Sequence, residues 1–190
     1  MRFQGGSLKG RRLPGAVPRG VRPTGARVRE ALFDVLGQDL SGWTVLDATG
    51  GSGVLALEAA GRGADRVVVL DRSPRAVHAI REAARSLGIA DRVEVRRVDA
   101  LEDPPPEGPF DLVVADPPYG EPLAPWLERL RPLARSWFVL EHAARDEPPG
   151  LAEPGVRTRR YGDTALTFYP GTGEVPGAGR GSVPVSRQRR

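Results

Sequence analysis

Cysteine is absent from the 190 residues, and with it go disulfides, thiolate zinc sites and cysteine nucleophiles. A reducing cytoplasm is the natural compartment for such a chain. Histidine is nearly absent too. His78 and His142 stand far apart without ligand spacing, so no transition-metal site built by the protein is expected. No apolar run approaches the roughly 18 to 20 residues that cross a bilayer, and Met1-Arg2-Phe3-Gln4-Gly5-Gly6 has no apolar leader segment. A soluble protein with no membrane partner is expected. The length suits one full-sized domain plus tails and leaves little room for two.

Arginine, glycine and proline are plentiful, and the positive charge is unevenly placed. Residues 1 to 30 carry eight basic side chains against Glu30 alone, and residues 171 to 190 carry four arginines against Glu174. The net charge is +4, so the body between these ends is net −6. Basic ends on a mildly acidic body suit a catalytic domain with polyanion-binding appendages. Gene base composition would explain why the cations are almost all arginine, but not why they cluster.

Residues 1 to 23 show little helical or strand periodicity apart from a short extended piece expected around Met1 to Gln4, and read as a basic arm outside the core. From Thr24, Val28, Leu32, Val35 and Leu36 recur at helical spacing, and Gly37 is placed to end the helix. Short β-rich runs then alternate with helical ones. Strands are expected at Thr44 to Asp47, Arg66 to Asp71, Arg92 to Val98, Phe110 to Ala115 and Trp137 to Leu140. Between them fall helices from Val54 to Arg62, from Pro74 with Ser73 as cap and Gly88 as stop, and from Leu123 to Leu133. Near-continuously apolar strands in strict alternation with helices predict an open parallel sheet covered on both faces. Val156 to Tyr161 and Thr164 to Tyr169 flank Gly162-Asp163 and predict an antiparallel hairpin at one edge. That ending favours a seven-stranded, mostly parallel methyltransferase sheet, an α/β Rossmann-like fold over residues 24 to 170. The Gly-, Pro- and Arg-rich stretch 171 to 190 is expected to be a disordered basic tail.

Two segments carry chemistry. Asp47-Ala48-Thr49-Gly50-Gly51-Ser52-Gly53 follows the first core strand and opens a helix, where a doubly wound sheet binds nucleotides. Gly51 and Gly53 fit the first pair of a G-x-G-x-x-G run, but position 56 is Ala. Asp47 at the strand's end would repel a pyrophosphate yet suits the cationic amino acid end of S-adenosylmethionine (SAM). Asp71, followed by Arg72, ends the second strand and is placed for ribose hydroxyls; Asp99, followed by Ala100, ends the third and could meet an adenine amine. The second segment, Asp116-Pro117-Pro118-Tyr119, ends the fourth strand and looks like the amine-methylating motif of SAM enzymes. A carboxylate and a carbonyl fixed by prolines can accept both hydrogens of a base amine, while Tyr119 offers a face for stacking. Asp and Pro are also ordinary turn residues, and the glycine loop upstream is what favours chemistry over a plain turn.

With these motifs, the chain resembles the RsmD-type family, enzymes that methylate the exocyclic N2 of a guanine in bacterial 16S ribosomal RNA. The most specific matches are Gly5-Gly6, Lys9-Gly10-Arg11-Arg12-Leu13-Pro14, Arg22-Pro23-Thr24 and Arg27-Val28-Arg29-Glu30-Ala31-Leu32-Phe33, with Arg160-Tyr161-Gly162-Asp163-Thr164 near the end. The resemblance implies that Asp47, Thr49, Gly51, Gly53, Asp71, Arg72, Asp99 and Ala100 hold SAM and that Asp116 to Tyr119 hold the guanine. It implies that Lys9, Arg11, Arg12, Arg22 and Arg27 meet ribosomal RNA or the small subunit. Two departures stand out. Gly25-Ala26 replaces an acidic residue before the Arg-Val-Arg-Glu run, and Thr49-Gly50-Gly51 replaces Phe-Ala-Gly, which loses an aromatic contact beside the cofactor.

The expected chemistry is direct in-line methyl transfer without metal or covalent intermediate, by a protein more readily monomeric than not. Competing readings are N6-adenine methylation of DNA or RNA, a non-catalytic SAM- or RNA-binding module and, more distantly, a nicotinamide oxidoreductase. Trp43, Trp126 and Trp137 read as packing residues, and His78 as partly exposed.

Overall fold

The computed structural model describes residues 1–15 and 25–173. Four helices, α1 (Ala26–Leu36), α2 (Val54–Gly61), α3 (Pro74–Leu87) and α4 (Ala124–Leu130), alternate with strands β1 (Thr44–Asp47), β2 (Arg66–Asp71), β3 (Val93–Arg97), β4 (Phe110–Ala115), β5 (Ala134–Ala143), β6 (Arg157–Tyr161) and β7 (Thr164–Pro170). The strands form one sheet in the order β3-β2-β1-β4-β5-β7-β6, in which β7 alone runs against the rest. This is the Rossmann-like fold of SAM-dependent methyltransferases, with the expected antiparallel hairpin at its end.

Local chemistry sets the boundaries. The Ser73 hydroxyl accepts a bond from Ala76 N, Pro74 opens α3, and Gly88 closes it at φ +75°. The helix expected through Leu133 instead stops at Leu130 and passes into a 3-10 turn over Arg131–Leu133. Pro132 has no N–H to continue the ladder. β5 extends well beyond the apolar Trp137 to Leu140 because β4 and β7 pair with it on either side.

Strand side chains alternate between two cores. Val45, Val67, Val69 and Leu112 meet α1, α2 and α3, while Leu46, Val68, Val113 and Phe138 meet the α4 side. Both faces are therefore dry, which is why the strands read as unbroken apolar runs.

The N-terminal segment read as an arm outside the core joins it. Phe3 and Leu8 are 1% and 2% exposed, and Leu8 packs so closely on Gly61 that a Cβ there would lie 2.8 Å from Leu8 Cγ. Main-chain bonds tie this segment to itself (Phe3 N to Arg11 O, Leu13 N to Met1 O), and Phe3 and Leu8 dock it on the core together with polar bonds from Gln4 N to Glu58 and from Ser7 Oγ to Gly61 O. Residues 171–173 are held to β5, Gly171 N donating to Ser136 O and Thr172 N to Ala134 O. The remainder of the expected tail, 174–190, lies outside the described residues, as do residues 16–24.

Candidate functional site

The chain runs from β1 to one side of the sheet and later returns through β4 on the other. In an open α/β sheet, that reversal leaves a crevice at the carboxyl ends of the two strands. A cavity of about 750 Å³ lies there, within the range typical of small-molecule sites. Thr49, Gly51, Asp71, Arg72, Asp99, Ala100, Asp116, Pro117, Pro118 and Tyr119 line it, so sequence reasoning brought ten residues from four loops to one place.

Asp47 and Gly53 do not reach its wall. Asp47 is 4% exposed, its carboxylate accepts a bond from Thr49 N at 3.1 Å, and burial pushes its pKa up to about 6, with Asp71 adding to the rise. Gly53 stands behind the loop at φ +73°, where a Cβ would lie 2.7 Å from Ile80 Cγ1. Both shape the loop from within.

The loop amides are already engaged. Thr49 N donates to Asp47, Gly50 N to Leu70 O, Gly51 N to Asp71 Oδ2 at 2.8 Å, and Gly53 N to Gly50 O. A pyrophosphate site requires such N–H groups to point at the ligand. The lining charges agree: Asp71, Asp99, Glu102, Asp116 and Glu121 face Arg72 alone. Arg72 itself lies 3.8 Å from Asp99 Oδ2. An acidic cavity without an amide cradle fits a sulfonium and an ammonium, and does not fit the diphosphate of a nicotinamide dinucleotide.

Asp71 uses one oxygen for Gly51 N and the other for Ser73 N at 2.7 Å. A carboxylate has about four acceptor positions, so two stay open for hydroxyls. Asp99 holds Leu101 N at 3.0 Å and so shapes the turn that carries Ala100.

The Asp116-Pro117-Pro118-Tyr119 turn is built in layers. Pro117 is buried, Asp116 is half-buried, and Tyr119 is 43% exposed at the rim with its hydroxyl 3.0 Å from Thr164 Oγ1. Asp116 N donates to Thr49 Oγ1 at 2.7 Å, which joins this turn to the glycine loop. Sequence reasoning assigned Thr49 to the cofactor and missed this link, which pairs residues 67 positions apart.

Trp126, read as a packing residue, is both packed and in the cavity wall. It is 7% exposed, and its indole N–H has no hydrogen-bond partner among the described residues. Its place in an amphipathic α4 behind the Asp116 turn was the available signal.

The basic residues separate. Arg29 pairs with Glu58, and Arg62, at 4.1 Å, stacks on Phe33. Two contacts four residues apart on each helix set α1 parallel to α2. The α1 start, with exposed Arg27, therefore points to the cavity's side of the sheet. Arg11 donates instead to Leu87 O at the far end of α3, and Lys9 lies beside it, at the opposite rim. Arg12 bridges to Arg2, and Arg22 lies outside the described residues. His142 is buried between Ala143 O and Thr167 Oγ1, and burial lowers its pKa. No cluster of three or more His, Cys, Asp or Glu able to hold a metal occurs among the described residues, nor does any helix there have the length and apolarity to cross a membrane.

The family model described as "Conserved hypothetical protein 95" matches residues 1–170. The chain belongs to this RsmD-type family. It is 31% identical over 180 residues to the candidate rRNA methyltransferase YlbH of Bacillus subtilis, covering 89% of this chain and 98% of that protein. It is 33% identical over 123 residues to ribosomal RNA small subunit methyltransferase D of Haemophilus influenzae, where the match spans 63% of this chain and 64% of the relative. Among solved structures, the candidate methyltransferase YhhF of Escherichia coli superposes with a TM-score of 0.75 at 28% identity, over 92% of this chain and 99% of that one.

Proposed function

We propose that this protein methylates the exocyclic N2 amine of a guanine in 16S ribosomal RNA, with SAM as the methyl donor and the small ribosomal subunit or its RNA as the partner. The observation that carries this reading is the opening of the Asp116 to Tyr119 turn and the glycine loop onto one acidic cavity. RNA as the substrate rests on the family and on its relatives named for rRNA methylation.

Asp71 would hold the ribose of SAM, and the Asp99-Ala100 turn would flank its adenine. The cofactor would supply an electrophilic methyl on a sulfonium. Asp116 accepts hydrogen bonds from the target amine, so that the nitrogen lone pair turns toward the cavity, and Tyr119 stacks on the base. The main contribution of these residues is orientation in a water-poor cleft. A guanine within a helix would have to be unpaired or flipped outward at a cost of a few kcal/mol.

The test is transfer of labelled methyl from SAM to 16S rRNA and to small subunits, followed by nucleoside analysis. N2-methylguanosine at one nucleotide is the expected product. N6-methyladenosine would overturn the choice of base, and no incorporation would overturn the activity.

A further inference from the structure

We infer that the edge strand β6 is the surface that grips the RNA backbone beside the target base, through Arg157, Arg159 and Arg160. This inference rests on the RNA reading above. It locates the contact in a place that the N-terminal cations, Lys9 and Arg11, do not occupy.

Strand register carries the argument. Ala115, the last residue of β4, is level with Leu140 of β5, Thr167 of β7 and Thr158 of β6. Arg159, Arg160 and Tyr161 therefore continue past the end of β4, to the level of the Asp116 turn. Three inter-strand spacings of about 4.8 Å put β6 roughly 14 Å to the side of that turn. Thr164, opposite Tyr161, is the residue that Tyr119 touches, so hairpin and cavity mouth are continuous. Lys9 and Arg11 lie on the far rim, separated from the mouth by the length of the sheet.

Charge favours the same surface. Residues 156 to 170 hold three arginines against one acid, Asp163. None of the three makes an ion pair among the described residues, and Arg160 spends only its Nε, on Ala144 O at 3.3 Å. On the opposite edge of the sheet, Glu94 engages both Arg66 and Arg96. Arg157 and Arg159 project from the face that carries α1, and Arg160 from the other. The open edge thus offers guanidinium groups on both sides of a line leading away from the cavity, and phosphate oxygens suit their forked donors.

Charged residues on an edge strand also discourage strand-to-strand aggregation. Glutamate does that as well as arginine, whereas only arginine attracts phosphate. The experiment is therefore Arg157→Glu/Arg159→Glu/Arg160→Glu, with Lys9→Glu/Arg11→Glu as control, binding a 16S rRNA transcript and small subunits across a salt series. Melting temperature and SAM binding are measured on every protein. The β6 variant is expected to keep SAM binding, to lose affinity for RNA, and to flatten the slope of log K against log salt by about 2, at about 0.7 for each single-strand phosphate contact. Arg157→Lys/Arg159→Lys/Arg160→Lys is expected to restore most of the slope. An unchanged slope in a folded, SAM-binding β6 variant overturns the inference, as does a slope lost only in the control. If the β6 triple variant does not fold, Arg157→Glu/Arg160→Glu, at two exposed positions, takes its place. A wild-type protein that neither binds nor methylates either RNA probe defeats the RNA reading itself, and the surface assignment with it.

Discussion

The Thr49 hydroxyl accepts the backbone N–H of Asp116 at 2.7 Å, so the glycine loop after β1 and the proline turn after β4 are one hydrogen-bonded unit. The phenylalanine that the family resemblance leads one to expect here has no oxygen to accept that bond. Thr49→Val keeps the shape and removes the acceptor, leaving a part-buried N–H at a cost of about 1 to 3 kcal/mol. Because a shift near 1 Å at a reacting centre can cost about 100-fold, methyl-transfer kcat is expected to fall about 10- to 100-fold. SAM affinity is expected to stay within about threefold, and Thr49→Ser to recover most of the turnover. Stopped turnover and calorimetry would separate the two effects; a loss of SAM binding equal to the loss in kcat would refute a positioning role.

Asp116→Asn addresses the amine more directly. An amide keeps the size of the carboxylate but replaces one acceptor with a donor, which opposes an N–H of the target. The expected outcome is at least a 100-fold fall in kcat/KM for RNA with normal SAM affinity, as orientation is the main contribution of the turn. Near-normal methylation would remove Asp116 from the chemistry.

The buried Asp47 gives the fold a pH dependence of definite sign. Its folded pKa, about 6, stands above the ordinary 3.8 of an aspartate carboxyl, so the folded state holds the proton more tightly. Its unfavourable contribution is absent below pH 4, grows as pH rises through 6, and reaches about 3 kcal/mol above that. Asp47→Asn is therefore expected to gain stability relative to wild type between pH 4 and pH 7. Urea unfolding across that range checks this, and a pH-independent difference between the two proteins would contradict it.

Most of the sheet was legible because both faces of each inner strand are buried, which writes itself as unbroken apolar runs such as Val67 to Leu70. Strand-terminal aspartates and the proline turn were legible for a similar reason: the topology leaves few places for carboxylates at the carboxyl rim, and short motifs mark them. What escaped depends on packing between distant segments. Glycine-rich composition hid the anchoring of Phe3 and Leu8, since Met1, Phe3, Leu8 and Leu13 are spaced too irregularly to show a period. The fates of Asp47 and Trp126 turn on which atoms face the cavity, and sequence spacing places a residue on an element without fixing that.

Trp126 lines the cavity, and its indole N–H is buried beside it without a partner among the described residues. If the bound cofactor accepts it, Trp126→Phe keeps the aromatic packing and removes one hydrogen bond, worth about 0.5 to 1.5 kcal/mol. SAM affinity is expected to fall about 3- to 10-fold with an unchanged melting temperature for the ligand-free protein. Equal affinities by calorimetry would show that the indole only packs.

Glu58 sits 0% exposed between Arg29 Nε at 3.0 Å and Arg62 Nη2 at 2.9 Å, and it also accepts Gln4 N at 3.0 Å. Arg29 in turn donates to Arg2 O at 2.9 Å. One carboxylate thus ties α1, α2 and the N-terminal segment together in a place where water cannot replace it. Glu58→Gln leaves two guanidinium groups beside each other without their counter-charge, and breaking such a buried pair costs about 3 to 5 kcal/mol. The expected result is a loss of that size by urea unfolding, together with faster amide hydrogen exchange at Phe3, Gln4 and Gly10 as the segment loosens. A variant as stable as wild type would mean that the desolvation of Glu58 offsets its ion pairs, and that Phe3, Leu8 and the bond from Ser7 Oγ to Gly61 O hold the segment without it.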